Sequence, residues 1–411
     1  MEDSIIVGID VGTTKICTLV ARLEGEGIMR ILGAGIEPSQ GMRKGVPVDI
    51  RVAGQAIARS VEKAERTSGL EITSALVSLA GSHVASVNSR GVVGVSGRVI
   101  DENDVIRAMD AARAVAIPHN REIIHVIQRG FTVDGQTGIR MPLGMHGYRL
   151  EVETHIITAS ASTVENLRNC VSKAGAEVSQ FVLNPLASAE VVLSDTEREM
   201  GAIVCDMGGG TTDLAIYIEG DVWHTMVLGF GGDHITSDIA HGLRLPIPQA
   251  EEIKKQYGYA VQGEVDQGED FSVRPFGEEV PVQISRRDLA MIIEARVEEI
   301  FGLVLEEIKR SGYDGLLPAG MVLTGGGSAL PGIRALAGRS LGLPVRIAEP
   351  QNLVGMTDKL HSPAYSTSVG LLNWAVLMTE VGAVAPYHFP SNNGGGLDWE
   401  KVKSLIRRLL P

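Results

Sequence analysis

The chain has 411 residues, which is too long for one simple hydrophobic core and predicts two or more domains or lobes. Its formal net charge of −13 argues against nucleic acid as a partner, because binding a phosphate backbone requires a basic face. The N-terminal residues lack a signal-peptide pattern, and no apolar run approaches the roughly 20 residues of a membrane-spanning helix. The three cysteines are widely spaced and match no disulfide or metal pattern, which favours the reducing cytoplasm.

A β-hairpin is predicted close to the N-terminus, in the sequence IIVGIDVGTTKICTLV at residues 5–20. Its first strand carries Asp10, its turn contains Gly12, Thr13 and Thr14, and a second apolar strand follows. Glycines allow the backbone N–H groups of such a turn to face a phosphate, and the threonine hydroxyls add hydrogen-bond donors. A carboxylate just before the turn can hold Mg²⁺ through water.

The same pattern returns about half a chain length later, in AIVCDMGGGTTDLAIY at residues 202–217. Asp206 ends the first strand of this second hairpin. Its turn residues are Gly208, Gly209, Gly210, Thr211 and Thr212. Either hairpin alone is compatible with an ordinary turn that requires glycine. Two copies that each place an aspartate before Gly-Thr-Thr instead favour a pair of phosphate-binding loops.

A compact α/β insertion is predicted between the two hairpins, at residues 84–160. Strand-like alternation is followed by a helix at about 101–115 and then by further strands. This arrangement indicates an inserted subdomain rather than a long loop, and the residues alone do not identify a partner for it.

A charged helix is predicted in the second half of the chain, in QAEEIKKQYG at residues 249–258. The spacing places Glu251, Lys254 and Lys255 on one helical face. That face can hold a ribose and a base, although such a pattern is also typical of a solvated surface.

A third glycine cluster lies in GMVLTGGGSALPGI at residues 320–333, between a buried strand and a helix that begins near Pro331. Gly325, Gly326 and Gly327 have no side chains and allow a flat ring to approach the backbone. The alternative is a flexible turn from strand to helix.

The last 15 residues, LDWEKVKSLIRRLLP at 397–411, predict an amphipathic helix behind a flexible linker at 383–396. Its predicted apolar residues are Trp399, Val402, Leu405, Ile406, Leu409 and Leu410, and its basic residues are Lys401, Lys403, Arg407 and Arg408. This pattern favours reversible binding to an anionic membrane surface, which several tails joined in a polymer would strengthen. The alternative is a helix docked on its own domain.

Together these segments resemble the actin/Hsp70/sugar-kinase superfamily, in which two ribonuclease-H-like lobes hold ATP between two phosphate hairpins. The order GIDVGTTK, CDMGGGTTD, VLTGGG, YSTSVGLLNWA and a terminal amphipathic helix is similar to that of the FtsA family of bacterial cell-division proteins, over essentially the whole chain. The resemblance implies an α/β, actin-like fold with an inserted 1C-type subdomain. It also implies ATP and Mg²⁺ as ligands, with the metal held through water by Asp10 and Asp206.

The resemblance assigns a role to each motif residue. The implied phosphate-binding residues are Gly12, Thr13, Thr14, Lys15, Gly208, Gly209, Gly210, Thr211, Thr212 and Asp213. The implied adenosine-binding residues are Glu251, Lys254, Lys255, Gly325, Gly326, Gly327 and Ser328. The implied divisions are lobe 1A (1–83, 161–195 and 355–382), subdomain 1C (84–160), lobe 2A (196–228 and 306–354), subdomain 2B (229–305), the linker (383–396) and the terminal helix (397–411).

The resemblance also implies partners and a location. We expect an actin-like filament on the cytoplasmic face of the inner membrane at the division site, and later division proteins bound through subdomain 1C. Residues 285–312 predict a long amphipathic helix in subdomain 2B, where the family binds the C-terminal peptide of FtsZ. Arg296 and Glu299 are the candidate contacts, unless they are only surface charges on a helix that packs on the core.

One position departs from the wider superfamily. In FVLNPLASAEVVL, Asn184 stands where relatives carry a Glu or Gln that orients the attacking water. Asparagine is no general base, and a positioned base contributes about 10²–10⁴-fold, so we expect slow or absent ATP hydrolysis. The alternative is that Asn184 caps the following helix. A pilus-assembly protein of the PilM type, or a small-molecule kinase of the same fold, are the competing functions.

Overall fold

The structure is a computed structural model that describes residues 4–24 and 28–380. The predicted linker at 383–396 and the predicted amphipathic helix at 397–411 lie outside these residues. Within the described ranges, no helix combines the length and apolar character needed to cross a bilayer.

Strands and helices alternate along the chain. The strands are β1 (Ser4–Val11), β2 (Lys15–Leu23), β3 (Met29–Pro38), β4 (Met42–Arg43), β5 (Val46–Pro47), β6 (Ser74–Leu79), β7 (Ala85–Val99), β8 (Arg121–Val133), β9 (Gln136–Ile139), β10 (His146–Ser160), β11 (Glu177–Leu183), β12 (Ala202–Met207), β13 (Thr212–Ile218), β14 (Asp221–Leu228), β15 (Asp270–Val273), β16 (Val282–Ser285), β17 (Gly320–Thr324), β18 (Val345–Ile347) and β19 (Val354–Gly355). The helices are α1 (Ile50–Ser68), α2 (Glu102–Arg113), α3 (Ala161–Ser172), α4 (Asn184–Val192), α5 (Asp195–Met200), α6 (Gly232–Leu243), α7 (Ile247–Tyr257), α8 (Arg286–Ser311), α9 (Ile333–Leu341) and α10 (Ser366–Glu380).

Two sheets repeat the same strand order. The first sheet has the order β11-β6-β1-β2-β3, with β19 added at the edge beside β3. The second has the matching order β18-β17-β12-β13-β14. In the first sheet β1, β2 and β3 pair antiparallel, and β6 and β11 join beside β1 in parallel. In the second sheet β12, β13 and β14 pair antiparallel, and β17 and β18 join beside β12 in parallel. Each sheet is thus the centre of a ribonuclease-H-like lobe, and the duplicated hairpins β1–β2 and β12–β13 occupy equivalent places in the two lobes.

Helix ends in the first lobe follow from local residue chemistry. The Asp49 carboxylate accepts hydrogen bonds of 3.0 Å from the backbone N–H groups of Arg51 and Val52, which begins α1. The helix ends at Gly69, whose φ of +71° is a left-handed conformation that favours glycine. The buried face of α1 packs on β2 and β3.

Two apolar helices, α4 and α10, pack against each other between the lobes. A Cβ built on Gly370 would lie 1.9 Å from the carbonyl oxygen of Ala187, so only glycine permits this close approach. Helix α10 contacts β1, β2 and β6 of the first sheet. Helix α4 contacts both sheets, through β6 and β11 of the first and β12, β13 and β17 of the second. The pair therefore joins the two lobes beneath the hairpins.

The second lobe carries α6, α7, the β15–β16 hairpin and α8, which share one hydrophobic core with the second sheet. The long helix predicted at residues 285–312 is confirmed as α8. Its buried residues, including Leu289, Ile293 and Val297, recur at helical spacing and pack towards α6 and α9.

The inserted α/β unit is a sheet of order β7-β10-β8-β9 covered by α2. It has its own small core, which includes Val95, Phe131 and Leu150. The unit enters and leaves through the first lobe, yet it also packs on β14 of the second lobe. His155 Nε2 lies 2.9 Å from Thr225 Oγ1 in this contact, and both residues are buried.

Candidate functional site

The two predicted hairpins are confirmed, and their turns have the same backbone geometry. Gly12 N–H donates to the carbonyl of Lys15 at 3.0 Å, and Gly208 N–H donates to the carbonyl of Thr211 at 2.9 Å. In each hairpin the donating glycine lies two residues after an aspartate. The repeated sequence pattern therefore becomes a repeated structure.

The tips of the two turns meet directly. A Cβ built on Gly209 would lie 2.0 Å from Thr14 Oγ1, and one built on Gly210 would lie 2.5 Å from Thr13 Oγ1. A side chain at Gly209 would require Thr14 to move, and one at Gly210 would also meet the backbone of Lys44 at 2.9 Å, which gives a packing reason for these glycines. The hydroxyls of the first turn thus face the bare backbone of the second.

Asp10 is buried in a shell of hydroxyl groups and one lysine. Ser78 Oγ donates to its Oδ1 at 3.0 Å, and Ser368 Oγ donates to its Oδ2 at 2.7 Å. Lys15 Nζ lies 3.7 Å from Oδ2. The carboxylate is 4% exposed, so these donors compensate for most of the hydration that it loses on folding.

Asp206 is held in the same manner by the two helices that join the lobes. Ser188 Oγ on α4 donates to Asp206 Oδ2, and Thr367 Oγ1 on α10 donates to the same oxygen at 2.7 Å. Burial raises the pKa of this carboxyl above its ordinary value, and the two hydroxyl donors oppose that shift.

The hydroxyl residues around the two aspartates were missed by sequence reasoning. The missed residues are Ser78, Ser188, Thr367 and Ser368. For Ser188, Thr367 and Ser368 the available signal was small hydroxyl residues inside otherwise apolar helices, in LASAE and in YSTSVG. Ser78 lies in strand β6 and carries no such signal.

Asp213 is the third buried carboxyl of the site, directly across the ladder from Asp206. Burial, together with the charge of Asp206, raises its pKa well above the ordinary value. Thr211 Oγ1 donates to Oδ2 at 3.1 Å, while Oδ1 is buried and has no hydrogen-bond partner within the described part of the chain. An orphaned carboxylate oxygen of this kind is a natural position for water or a ligand donor.

Asn184 lies at the start of α4, and the side-chain oxygen of its amide is also buried without a partner among the described residues. The alternative of a helix cap is wrong. Leu183 occupies the N-cap position, α4 begins at Asn184 itself, and no side-chain capping hydrogen bond forms. The side chain of Asn184 instead interacts with the carboxyl group of Asp213, and its amide oxygen is the one atom left without a partner.

The predicted adenosine helix is α7, and its charged residues bind one another. Glu251 pairs with Lys254 at 2.6 Å and with Lys255 at 3.1 Å. Lys254 Nζ also donates to the carbonyl of Gly232 at 3.0 Å. Because Gly232 N–H donates to the carbonyl of Gly208 at 2.9 Å, the charged face of α7 is tied to the second hairpin.

The triglycine turn packs on the base of the second hairpin. Gly325 has a φ of +83°, and a Cβ built there would lie 2.3 Å from Asp206 Oδ1. Ser328 Oγ donates to the carbonyl of Gly325 at 2.7 Å and closes the turn. Just beyond it, Ala260 N–H donates to the carbonyl of Pro331 at 2.8 Å, which places the end of the α7 segment beside the turn. The first hairpin, α7 and the triglycine turn therefore all pack around the second hairpin.

Arg296 and Glu299 lie on α8. Arg296 pairs with Asp238 of α6, with Nε at 2.5 Å from Oδ2 and Nη2 at 3.0 Å from Oδ1. It also pairs with Glu299, whose side chain is 53% exposed. The two candidates thus form a surface ion-pair network on the second lobe.

Two lobes of equal strand order, joined by paired helices and closed by two glycine-rich hairpins, define an actin-like fold. Solved structures agree with that class. The PilM-PilN type IV pilus biogenesis complex aligns with a TM-score of 0.63 at 15% identity, covering 90% of this chain and 98% of that one. MreB5 of Spiroplasma citri bound to ADP aligns with a TM-score of 0.57 at 16% identity, covering 92% and 99%.

Within this class, the chain belongs to the FtsA family of cell-division proteins. Cell division protein FtsA of Pseudomonas aeruginosa is 42% identical over 371 residues, covering 90% of this chain and 89% of that protein. The Escherichia coli K12 protein is 36% identical over 380 residues, covering 91% and 90%. The profile described as cell division protein FtsA matches residues 203–370, and that of the SHS2 domain inserted in FtsA matches residues 81–158. This membership favours cell division over the pilus-assembly and kinase alternatives.

Proposed function

We propose that the protein binds ATP with Mg²⁺ in the cleft and uses the bound nucleotide to control assembly during cell division. The observation that carries the proposal is the pair of facing glycine turns, each preceded by a buried aspartate. Backbone N–H groups of both turns and the hydroxyls of Thr13 and Thr14 would supply the phosphate donors. The hydroxyls of Thr211 and Thr212 are buried and already donate to Asp213 and to the carbonyl of Phe230. The nucleotide would thus add a connection between two lobes that also meet at the loop tips, through α4 and α10, and through the inserted subdomain.

The residues present fit a hydrated magnesium ion. Oxygen donors are what Mg²⁺ prefers, and the orphaned oxygens of Asp213 and Asn184 are buried beside the carboxylates of Asp10 and Asp206. No three His, Cys, Asp or Glu side chains within residues 4–24 and 28–380 are grouped to hold a metal. The ion would therefore be held through water and phosphate oxygens, and it would neutralise phosphate charge when bound.

The adenosine would lie between α7 and the triglycine turn. Gly325 and Gly327 pack closely against Met207, so the base would approach the turn at Gly326, where a built Cβ meets no atom closer than 3.7 Å. Ser328 holds the turn in shape. Glu251, Lys254 and Lys255 carry donors and an acceptor suited to ribose hydroxyls.

Hydrolysis of the bound ATP is proposed to be slow. Asn184 is the polar residue of α4 next to Asp213, and an amide cannot remove a proton from water. ATP would then act mainly as a ligand that sets the conformation for assembly.

The membrane and filament parts of the proposal are supported by membership of the family and by the terminal sequence. We propose actin-like self-association at the division site, binding of the FtsZ C-terminal peptide near Arg296 and Glu299, and anchoring through residues 397–411. Subdomain 1C would contact later division proteins. Several weakly bound tails in one polymer would hold it to the membrane far more firmly than one tail alone.

Calorimetric titration with ATP tests nucleotide binding. Asp10→Asn keeps the volume of the side chain and removes its charge, so affinity should fall at least about tenfold in Mg²⁺ and change little in EDTA. Asp195→Asn, an exposed aspartate of α5, is the matched control and should bind as the wild type does. Wild-type affinity of Asp10→Asn in Mg²⁺ would contradict the assignment of the first hairpin.

Two further measurements test the partners. Binding of a synthetic FtsZ C-terminal peptide should weaken in Glu299→Lys and stay unchanged in Glu298→Lys, which alters an exposed neighbour on the same helix. Removal of residues 397–411 should abolish co-sedimentation with anionic vesicles in ATP. Equal peptide binding by Glu299→Lys and Glu298→Lys would refute the proposed peptide site. Continued sedimentation of the truncated chain would refute the proposed membrane anchor.

A further inference from the structure

A short hairpin formed by β4 and β5 lies across the tips of the two phosphate loops. Its turn consists of Lys44 and Gly45. Gly45 N–H donates to Thr13 Oγ1 of the first loop at 3.1 Å. A Cβ built on Gly210 of the second loop would lie 2.9 Å from the Cα of Lys44. The turn therefore contacts both loops where they meet, a contact that sequence patterns did not indicate.

The backbone of Lys44 adopts a conformation that lysine rarely takes. Lys44 and Gly45 have φ values of +51° and +77°, and they form the two-residue connection of an antiparallel hairpin. The first position of such a turn favours asparagine, aspartate or glycine, because a branched or long side chain is strained at positive φ. A non-glycine residue held in this region points to a role for its side chain.

The ammonium group of Lys44 is available for a ligand. Its Nζ lies 5.3 Å from the centre of the Phe230 ring, and it makes no ion pair with any residue of the described ranges. Lys15, the basic residue of the first loop, is already engaged by Asp10 at 3.7 Å and lies over the Tyr365 ring at 5.0 Å. Lys44 thus carries an uncompensated positive charge beside the loops.

Lys44 and the proposed adenosine site contact opposite ends of the second loop. The triglycine turn contacts the base of this loop, because a Cβ on Gly325 would lie against Asp206 and Met207. Lys44 instead contacts the tip of the loop at Gly210. A nucleotide whose base lies at the triglycine turn would extend its outermost phosphate towards Lys44.

We infer that Lys44 binds the terminal phosphate of a nucleoside triphosphate and discriminates it from a diphosphate. This inference rests on the proposed nucleotide binding and assigns a residue that no motif of the family resemblance includes. The ammonium leaves the Phe230 ring for the phosphate oxygens, where it forms charge-assisted hydrogen bonds. The same turn packs against Ala80 and Gly81 of the first lobe and against Gly210 of the second, so phosphate contact at Lys44 would engage both lobes.

The test compares affinities for the non-hydrolysable triphosphate AMP-PNP and for ADP, each with Mg²⁺, in the full-length protein. Lys44→Met should weaken AMP-PNP binding about 10- to 100-fold and leave ADP binding within about twofold. Lys44→Arg should retain most of the preference because it keeps the charge. The matched control is Arg43→Met, which removes an exposed cation from the neighbouring residue of the same hairpin.

Lys44→Gly separates binding from folding, because glycine suits the positive φ of this position. Its thermal unfolding midpoint should match the wild type, while its preference for AMP-PNP should be lost. Equal weakening of both nucleotides in Lys44→Met, unchanged AMP-PNP binding, or the same loss in Arg43→Met would overturn the inference. Failure of the wild type to bind either nucleotide would instead overturn the proposed function and the inference together.

Discussion

Gly209 offers the sharpest test of how the two loops are arranged. A methyl group at this position would lie 2.0 Å from Thr14 Oγ1 and 3.0 Å from Asp233 Oδ1. The shorter contact must lengthen by more than about 1 Å to reach van der Waals distance. The methyl group also projects into the space between the turns, which is where we propose that the phosphates bind. Gly209→Ala should therefore disturb both the native packing and the nucleotide site.

The size of the effect follows from the cost of overpacking. Inserting one methyl group into a close contact costs about 1–3 kcal/mol. If that cost opposes binding, MgATP affinity should fall about 5- to 150-fold, as measured by calorimetric titration. Thermal unfolding without nucleotide should show a lower midpoint for the same variant.

Gly302→Ala is the matched control, because it adds the same methyl group in α8 where no atom lies within 4 Å of the built Cβ. It should stabilise the helix by about 0.5–1 kcal/mol and leave MgATP affinity unchanged. Wild-type affinity in Gly209→Ala, or an equal loss in Gly302→Ala, would refute the proposed packing of the loops.

Three other changes have outcomes that the structure specifies. His155→Ala leaves the buried hydroxyl of Thr225 without its partner and should lower the free energy of unfolding by about 1–3 kcal/mol in urea, whereas exposed His119→Ala should not. Burial raises the pKa of Asp221 to about 6, so its charge destabilises the native state above that pH, and Asp221→Asn should raise the unfolding midpoint more at pH 8 than at pH 5. Asn184→Gln extends the amide by one methylene and should increase phosphate release at least about tenfold if water positioning limits hydrolysis.

Each of these expectations has a contradicting result. Equal stability of the two histidine variants would mean that the contact between the insertion and β14 contributes nothing to folding. A gain in Asp221→Asn that is independent of pH would assign the effect to packing. Unchanged phosphate release in Asn184→Gln would place the limiting step elsewhere.

The hairpins and the helix α8 were predictable because their signals are local. A glycine turn and an alternating strand are specified by residues within a few positions of one another, and a buried helical face recurs along one segment. The duplication of Asp before Gly-Thr-Thr added a comparison within the chain itself. The capping role considered for Asn184 was wrong because sequence patterns do not place a helix boundary to within one residue. Leu183 is the N-cap of α4, and Asn184 is its first helical residue.

The amino-acid sequence by itself determined where the two glycine-rich hairpins lie and that the chain contains two similar halves. Only the tertiary structure decided which hydroxyls surround Asp10 and Asp206, that the insertion rests on β14, and that Lys44 lies across both loops. These contacts join residues that are distant in the chain, and a serine in a helix or a lysine in a turn carries no local sign of its partner. Their positions follow from the packing of two sheets about α4 and α10, and that packing depends on the whole chain at once.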